Sequence, residues 1–127
     1  MKAPIWVLDE TVVALHEQLI AAFGSSTGIR DHSLDSALAR PENLLAYGTP
    51  TMFQLAASYA YGVVKNHPFI DGNKRTGFTV AVLFLELNRF RFTAIESEAT
   101  IQTMALAAGD LGESAYAAWL EAWSTRK

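Results

Sequence analysis

The chain has 127 residues, a formal net charge of −3, no cysteine and 50% hydrophobic residues. These values predict one compact domain over residues 1–127 and exclude a disordered protein. The lack of cysteine excludes thiol catalysis and cysteine-ligated metal. Because only 18% of the residues are charged and the pI is near 5.5, we expect no broad basic surface and no direct binding to nucleic acid.

Hydropathy predicts no membrane span. The longest apolar stretch, residues 78–87, is interrupted by Thr79 and Glu86 and is far shorter than the roughly 18 residues that a span needs. The N-terminal sequence MKAPIWVLDE has no small-residue cleavage site behind an apolar core, so it does not resemble a secretory signal. We therefore expect a cytoplasmic protein with no membrane association.

The first part of the chain predicts two helices. Asp9 can cap an amphipathic helix that has apolar residues at 3.6-residue spacing and ends at Gly24. Ser33 can cap a short second helix that stops at Pro41. Residues 41–50 are then expected to form a connecting segment.

The clearest helix start is at Thr51, which has capping-box spacing to Gln54. We expect a helix over residues 52–66 that Pro68 forces to stop. Because a residue before proline is excluded from the helical region, His67 is predicted to lie at the helix exit, with its ring facing the following loop.

The next helix is predicted to start at Lys74 or Arg75 and to end at Asn88. It is apolar on nearly all sides, which is typical of a central helix surrounded by others. Residues 89–95 alternate apolar and polar side chains, so they predict a short strand or an extended connection, and we expect no sheet.

Two further helices complete an all-α prediction, a single helical bundle around a buried central helix. Ser97 can cap a helix that ends at Gly109. Residues 113–123 predict a closing helix whose aromatic residues share one side. We expect Trp119 and Trp123 of this helix to lie in the core, unless one of them faces the surface and anchors a partner.

The two central helices are joined by residues 67–77, HPFIDGNKRTG, whose composition packing alone does not explain. One imidazole, one carboxylate, one side-chain amide, one ammonium and one guanidinium lie within residues 67–75. Together these are the groups that phosphoryl transfer requires.

Two of these side chains suit specific roles. An imidazole titrates near neutral pH, so His67 can accept the proton of an attacking hydroxyl group as general base. Asp71 offers a hard oxygen ligand, and Mg²⁺ is commonly held by one carboxylate together with nucleotide phosphates. We therefore predict that His67 is catalytic and that Asp71 is the metal ligand.

The remaining polar residues predict a phosphate site. Gly72 permits a positive φ, so the backbone amides of Gly72, Asn73 and Lys74 can converge at the start of the next helix, where an anion is favoured. Lys74 and Arg75 place positive charge in a first helical turn, which a bound anion would stabilise.

A purely structural interpretation accounts for each residue singly. His67 can cap helix carbonyls, and Asp71 can open an ordinary turn. Phe69 and Ile70 are expected to anchor the loop on the core. The combination favours chemistry, because a turn requires neither the histidine nor a basic pair at a helix start.

The motif HPFIDGNKRTG resembles the signature of the Fic/Doc (Fido) superfamily, and the lysine after the asparagine resembles its Doc branch, the death-on-curing toxins. The segments GIRDHSLDSALARPE and LAAGDL with AAWL are similar to the flanks of small Doc-type proteins, so the resemblance covers most of the chain.

This resemblance implies an all-α Fido domain over residues 1–127 that transfers a group from ATP to a protein hydroxyl. For Doc toxins it implies phosphorylation of a threonine of elongation factor Tu, which inhibits translation, and control by an antitoxin of Phd type whose disordered C-terminal segment folds on the toxin. By match to the motif, His67 is the base and Asp71 the metal ligand. The match gives the nucleotide-phosphate roles to Asn73, Lys74 and Arg75, to which the backbone amide of Gly72 adds a further donor.

Two departures from the Fic pattern, HPFxDGNGRTGR, favour phosphate transfer over AMP transfer. Lys74 stands where Fic enzymes have a glycine that admits phosphate to the backbone. Phe78 stands where they have a second arginine. Gly72 and Gly77 differ from the alanines of Doc itself, so assignment to the Doc branch rests on Lys74, Phe78 and the flanks.

Other polar residues are assigned no function. His16 is expected to be a helix-face histidine and His32 a solvated one, since neither has a second ligand at chelating spacing. Arg30 and Asp31 can form a local ion pair or a rim contact to substrate.

The sequence thus leads to a Doc-like kinase toxin of a toxin–antitoxin system that uses ATP and Mg²⁺. One alternative is a Fic-type AMP transferase. The other is an inactive Fido domain that serves as a peptide-binding module.

Overall fold

The computed structural model describes residues 3–23, 28 and 33–127. In this part of the chain the elements are α1 (Asp9–Phe23), α2 (Ser33–Ala46), α3 (Met52–Asn66), α4 (Asn73–Leu87), β1 (Phe90–Phe92), α5 (Glu96–Ala108), α6 (Glu113–Ala122) and β2 (Ser124–Arg126). The predicted helical fold is confirmed. None of these helices has the length and apolar composition needed to cross a membrane. The predictions for Gly24, Arg30, Asp31 and His32 fall outside the described residues.

Helices α3 and α4 form the centre of the bundle. α3 packs against α2, α4 and α6, and α4 packs against α1, α3 and α5. At Gly77 of α4 an added Cβ would lie 3.1 Å from the carbonyl oxygen of Ala60, so the two central helices cross at close range. The buried centre contains Tyr59, Val63, Phe84 and Leu85, which confirms α4 as a central helix.

Helix α2 does not stop at Pro41. It continues to Ala46, and Pro41 is buried inside it. A proline inside a helix deprives the carbonyl four residues earlier, here that of Ala37, of its donor. A Cβ at Gly62 of α3 would lie 2.9 Å from this oxygen, so the carbonyl rests directly on α3. The packing of the buried face of α2 against α3 therefore outweighs the tendency of Pro41 to end a helix.

The starts of the helices agree with the sequence at α3 and differ at α5. The capping box forms: Thr51 Oγ1 accepts from the N–H of Gln54 at 3.1 Å, and Gln54 Oε1 accepts from the N–H of Thr51 at 2.8 Å. By contrast, the N-cap of α5 is Ile95 and not Ser97, because the carbonyl of Ile95 already accepts the first helical bond from Ala99.

A small sheet corrects the expectation of no sheet. β1 pairs antiparallel with β2, with Phe90 opposite Arg126 and Phe92 opposite Ser124. The alternation of apolar and polar side chains after α4 indicates an extended segment. It does not indicate the partner strand, β2, which follows α6. The sheet connects the segment after α4 to the segment after α6.

Candidate active site

His67 lies at the exit of α3 in a left-handed conformation. It is the C-cap residue, with φ 50° and ψ 53°, and its N–H donates to the carbonyl of Val63 at 3.2 Å. A positive φ is uncommon outside glycine, and such strain is typical of functional sites. The predicted helix exit is confirmed, and the exposed imidazole lines a cleft.

The side chain of Asn73 holds the loop closed. Its Oδ1 accepts from the N–H of Phe69 and its Nδ2 donates to the carbonyl of Phe69, both at 3.0 Å. These two bonds fix which end of the amide is nitrogen, and that nitrogen lies 3.4 Å from Nδ1 of His67. The amide nitrogen only donates, so a hydrogen bond here requires Nδ1 to accept, and at 3.4 Å such a bond is too weak to fix the ring or its tautomer.

Gly72 opens α4 with a positive φ of 79°, as predicted. Its carbonyl accepts the first helical bond from Thr76 at 2.9 Å, so the helix begins at Asn73, one residue earlier than expected. The N-cap residue is a glycine and so offers no side-chain cap of its own to this N-terminus. Lys74 and Arg75 are exposed in the first turn and carry positive charge where the helix dipole disfavours it.

The cleft has a volume of about 610 Å³. All six predicted site residues line it: His67, Asp71, Gly72, Asn73, Lys74 and Arg75. The structure therefore brings the predicted residues to one surface. One refinement concerns Asn73, whose side chain is buried and bonded within the loop, so only its backbone remains for a phosphate.

The carboxylate of Asp71 is exposed and partly oriented by its own backbone. Its Oδ1 accepts from the N–H of Gly72 at 2.8 Å. A hard carboxylate at the edge of a cleft, next to two cations and a helix N-terminus, suits a magnesium ion bound to nucleotide phosphates. Among the described residues no three His, Asp or Glu side chains are placed to hold a metal together, so Asp71 would hold magnesium only with the nucleotide phosphates as its further ligands.

The far wall of the cleft is formed by α5 and by Phe78 of α4. The ring of Phe78 packs edge-on against Phe92, with centroids 5.8 Å apart, and lies 6.5 Å from Trp119. Thr103 of α5 lines the cleft and bonds to the buried hydroxyl of Tyr116 at 2.8 Å. Burial raises the pKa of Tyr116 to about 12. This wall adds no cation at position 78, and half of its residues are polar, one of them a carboxylate: Phe78, Ala99, Met104, Thr100, Thr103 and Glu96.

Of the two tryptophans expected in the core, Trp119 packs against it and Trp123 faces the surface. Trp119 is partly buried among the aromatic rings behind the cleft. Trp123, the C-cap of α6, is 47% exposed and is not a core residue.

Sequence reasoning missed His16. This residue of α1 is buried, its ring stacks on Phe69 with centroids 3.8 Å apart, and its Nε2 lies 2.7 Å from the carbonyl oxygen of Asp71. A signal was available, because Val12, His16 and Ile20 are four residues apart and so share the buried face of one helix.

Comparisons with known proteins agree with this fold and loop. The model of the Fic/DOC family matches residues 6–85, which include α1 to α3, the loop and most of α4. The chain therefore belongs to the Fic/Doc family.

Two curated relatives that resemble the chain carry the name Doc. The chain is 38% identical over 77 residues to "Toxin Doc" of Mycolicibacterium smegmatis, a match that covers 58% of each chain. It is 32% identical over 84 residues to "Protein kinase doc" of Escherichia phage P1, which covers 65% of this chain and 67% of that protein.

Proposed function

We propose that this protein is a Doc-like toxin that transfers the γ-phosphate of ATP to a hydroxyl side chain of a protein target. The observation that carries the proposal is the composition of the cleft at the start of α4. A histidine, a carboxylate, a helix N-terminus that begins at a glycine N-cap and two cations line it together. The name of the phage relative, a protein kinase, supports the same reaction.

In this proposal His67 takes the proton from the target hydroxyl, whose oxygen forms a bond to the γ-phosphorus. The bond from that phosphorus to the β–γ bridging oxygen breaks, ADP leaves, and the proton passes from His67 to solvent. Lys74 and Arg75 stabilise the charge that spreads over the phosphoryl oxygens. Asp71 would hold magnesium, which when bound neutralises charge on the phosphates.

Phosphate transfer is favoured over AMP transfer by two side chains. The Lys74 side chain occupies the position where a glycine would leave the backbone open to phosphate. Phe78 is packed against Phe92 and Trp119 and offers no positive charge to a second phosphate. Both features support a binding mode in which the γ-phosphate of the nucleotide lies nearest His67.

The partners follow from the same proposal. The substrate is a translation factor, with elongation factor Tu as the first candidate, and an antitoxin of Phd type binds the toxin and inhibits it. The printed names of the two relatives, a toxin and a protein kinase, support a toxin that phosphorylates a protein, which we place in the cytoplasm with its target.

The test compares two labelled nucleotides. The protein is incubated with purified elongation factor Tu and magnesium, with either γ-labelled or α-labelled ATP. We expect label from the γ-labelled nucleotide alone and a mass increase of one phosphate on the target. A mass increase of one AMP would overturn the kinase proposal and support the Fic-type reaction instead.

A matched set of variants tests the groups that the proposal uses. Asp71→Asn should lose both label and magnesium dependence, since the amide is a poor ligand for a hard cation. Lys74→Gly should weaken phosphate transfer, because it removes charge from the phosphoryl centre. It should not create AMP transfer, since Phe78 remains. Glu121→Gln, an exposed change on α6 outside the cleft, should leave transfer unchanged.

A further inference from the structure

A buried histidine from another helix contacts the backbone of the loop next to the proposed metal ligand. His16 is only 1% exposed, and its Nε2 lies 2.7 Å from the carbonyl oxygen of Asp71. The imidazole ring is nearly parallel to the ring of Phe69, at an interplanar angle of 8°. His16 is thus held on one side by stacking and at its tip by the loop.

The chemistry of this contact fixes the position of one hydrogen. A backbone carbonyl oxygen only accepts, so Nε2 of His16 must donate and must carry the hydrogen. At 2.7 Å the hydrogen bond is short for an N–H donor.

The bond acts on the peptide group between Asp71 and Gly72. The carbonyl of this group accepts from His16, and its N–H donates to Oδ1 of Asp71 at 2.8 Å. Rotation of this peptide would break both bonds and turn the Asp71 carboxylate away from its present position. Hydrogen bonds linked through one peptide group also polarise each other and strengthen the pair.

The same peptide precedes the left-handed residue that opens α4. Gly72 has φ 79°, and a Cβ added there would lie 3.6 Å from Nε2 of His16 and 3.0 Å from Ile20. The His16 and Ile20 side chains of α1 therefore occupy the space beside Gly72, at the N-terminus of α4.

We propose that His16 is a positioning residue for the transfer reaction. It holds the peptide between Asp71 and Gly72 so that the carboxylate and the helix N-terminus face the same nucleotide phosphates. Its effect on nucleotide binding rests on the proposed function, whereas its effect on the loop does not. Residues that orient a metal ligand typically contribute roughly 10-fold to 100-fold in metal affinity or activity.

The first test uses the unaltered protein without nucleotide. The chain has three histidines, so a sample labelled with ¹⁵N-histidine gives a simple spectrum. We expect the ring of His16 to carry a hydrogen on Nε2 that is protected from exchange with solvent. A ring that carries its hydrogen on Nδ1 alone, with a bare Nε2, would overturn the proposal.

The second test compares His16→Gln with His16→Asn. Both bury an amide, but the glutamine nitrogen takes the place of Nε2 and the asparagine nitrogen that of Nδ1, so only glutamine can reach the carbonyl of Asp71. We expect amide exchange of residues 69–73 to be roughly fivefold faster in the asparagine variant and nearly normal in the glutamine variant. The affinity for magnesium–ATP should fall roughly tenfold or more with asparagine and recover with glutamine.

The outcomes separate this inference from the proposed function. Equal exchange and equal affinity in the two variants, at similar melting temperatures, would overturn the positioning role. If the wild type shows no binding of magnesium–ATP while the exchange pattern holds, His16 positions the loop and the kinase proposal fails. If neither variant folds, the tautomer of His16 in the wild type decides whether the positioning role stands: a hydrogen on Nε2 supports it, and a hydrogen on Nδ1 alone overturns it.

Discussion

Asn73 bonds to both polar groups of the Phe69 backbone, accepting from its N–H and donating to its carbonyl at 3.0 Å each. Asn88 makes the same pair of contacts to Ile5, at 2.8 Å and 3.0 Å. Only the first pair lies at the cleft, because Asn88 is at the far end of α4. The chain thus contains an internal control for the contribution of Asn73.

Replacing these two asparagines by alanine should separate stability from activity. We expect Asn73→Ala and Asn88→Ala each to lower the free energy of unfolding by about 1–3 kcal/mol, because each removes two or more hydrogen bonds. Only Asn73→Ala should also abolish phosphate transfer, since it releases the loop that carries His67. Urea denaturation measures the stability of each variant, and the assay with γ-labelled ATP measures transfer. The prediction is contradicted if Asn88→Ala loses transfer while Asn73→Ala keeps it.

Replacing His67 by alanine should stop transfer without unfolding the protein. The imidazole is exposed, so its removal leaves no cavity in the core. Binding of magnesium–ATP, measured by calorimetry, should stay within about threefold of the wild type, because the base acts on the hydroxyl and not on the nucleotide. Near-normal turnover of a folded His67→Ala protein would exclude His67 as the base.

Helix packing at Gly62 predicts a loss of stability on adding a single methyl group. In Gly62→Ala the new Cβ meets the Ala37 carbonyl at 2.9 Å, so α2 and α3 must separate. We expect a loss of about 1–3 kcal/mol, although alanine is the better helix former by about 1 kcal/mol. Gly48→Ala is the control, since this exposed glycine lies outside the helices and its added Cβ meets only the Leu44 carbonyl oxygen, at an ordinary contact distance of 3.4 Å. Equal stability of the two variants in chemical denaturation would refute the prediction.

Two buried tyrosines predict a loss of stability at high pH. Burial raises the pKa of Tyr59 and of Tyr116 to about 12, whereas a tyrosine in the unfolded chain titrates near pH 10, at about its reference value. Because the raised pKa lies in the folded state, the stabilisation is complete below about pH 10 and is lost as the pH rises through about 12.

The measurement is the free energy of unfolding between about pH 9 and 12, the interval set by these pKa values. Tyr116→Phe cannot ionise and should show a shallower decline than the wild type, by up to about 1.4 kcal/mol per pH unit. Tyr47→Phe is the control, because Tyr47 is 91% exposed and its loss should leave the decline unchanged. The prediction fails if both variants decline as the wild type does.

An antitoxin segment that is disordered when free should fold as it binds this protein. Ordering such a segment costs roughly 2–5 kcal/mol and gives a large negative heat-capacity change. Calorimetry with a cognate antitoxin peptide at several temperatures measures that change. Binding without it, or binding that leaves toxicity unaffected, would contradict control of this kind.

The sequence predicts local features of the fold better than those that depend on distant residues. The capping box at Thr51 and the positive φ at Gly72 are confirmed, because both depend on a few neighbouring residues. Pro41 was expected to stop a helix, but the buried face of α2 on α3 outweighs its local effect. Strand β1 was recognisable only as an extended segment, since its partner follows α6.

The same distinction holds for the candidate site. The six residues predicted from the motif lie in one loop and one helical turn, so their proximity follows from the chain itself. His16 belongs to α1 and reaches the loop only because α1 packs against α4. A single sequence without spatial information gives no partner for a histidine on an apolar helix face.

The left-handed backbone at His67 has a consequence for selecting variants. A side chain in this region costs about 1–2 kcal/mol relative to the right-handed conformation, and glycine avoids that cost. Substitution by glycine is therefore expected to relieve strain at the one position where the proposed chemistry needs an imidazole. A library varied at this residue and screened only for heat resistance would enrich an inactive protein, so thermostability and toxicity must be selected together.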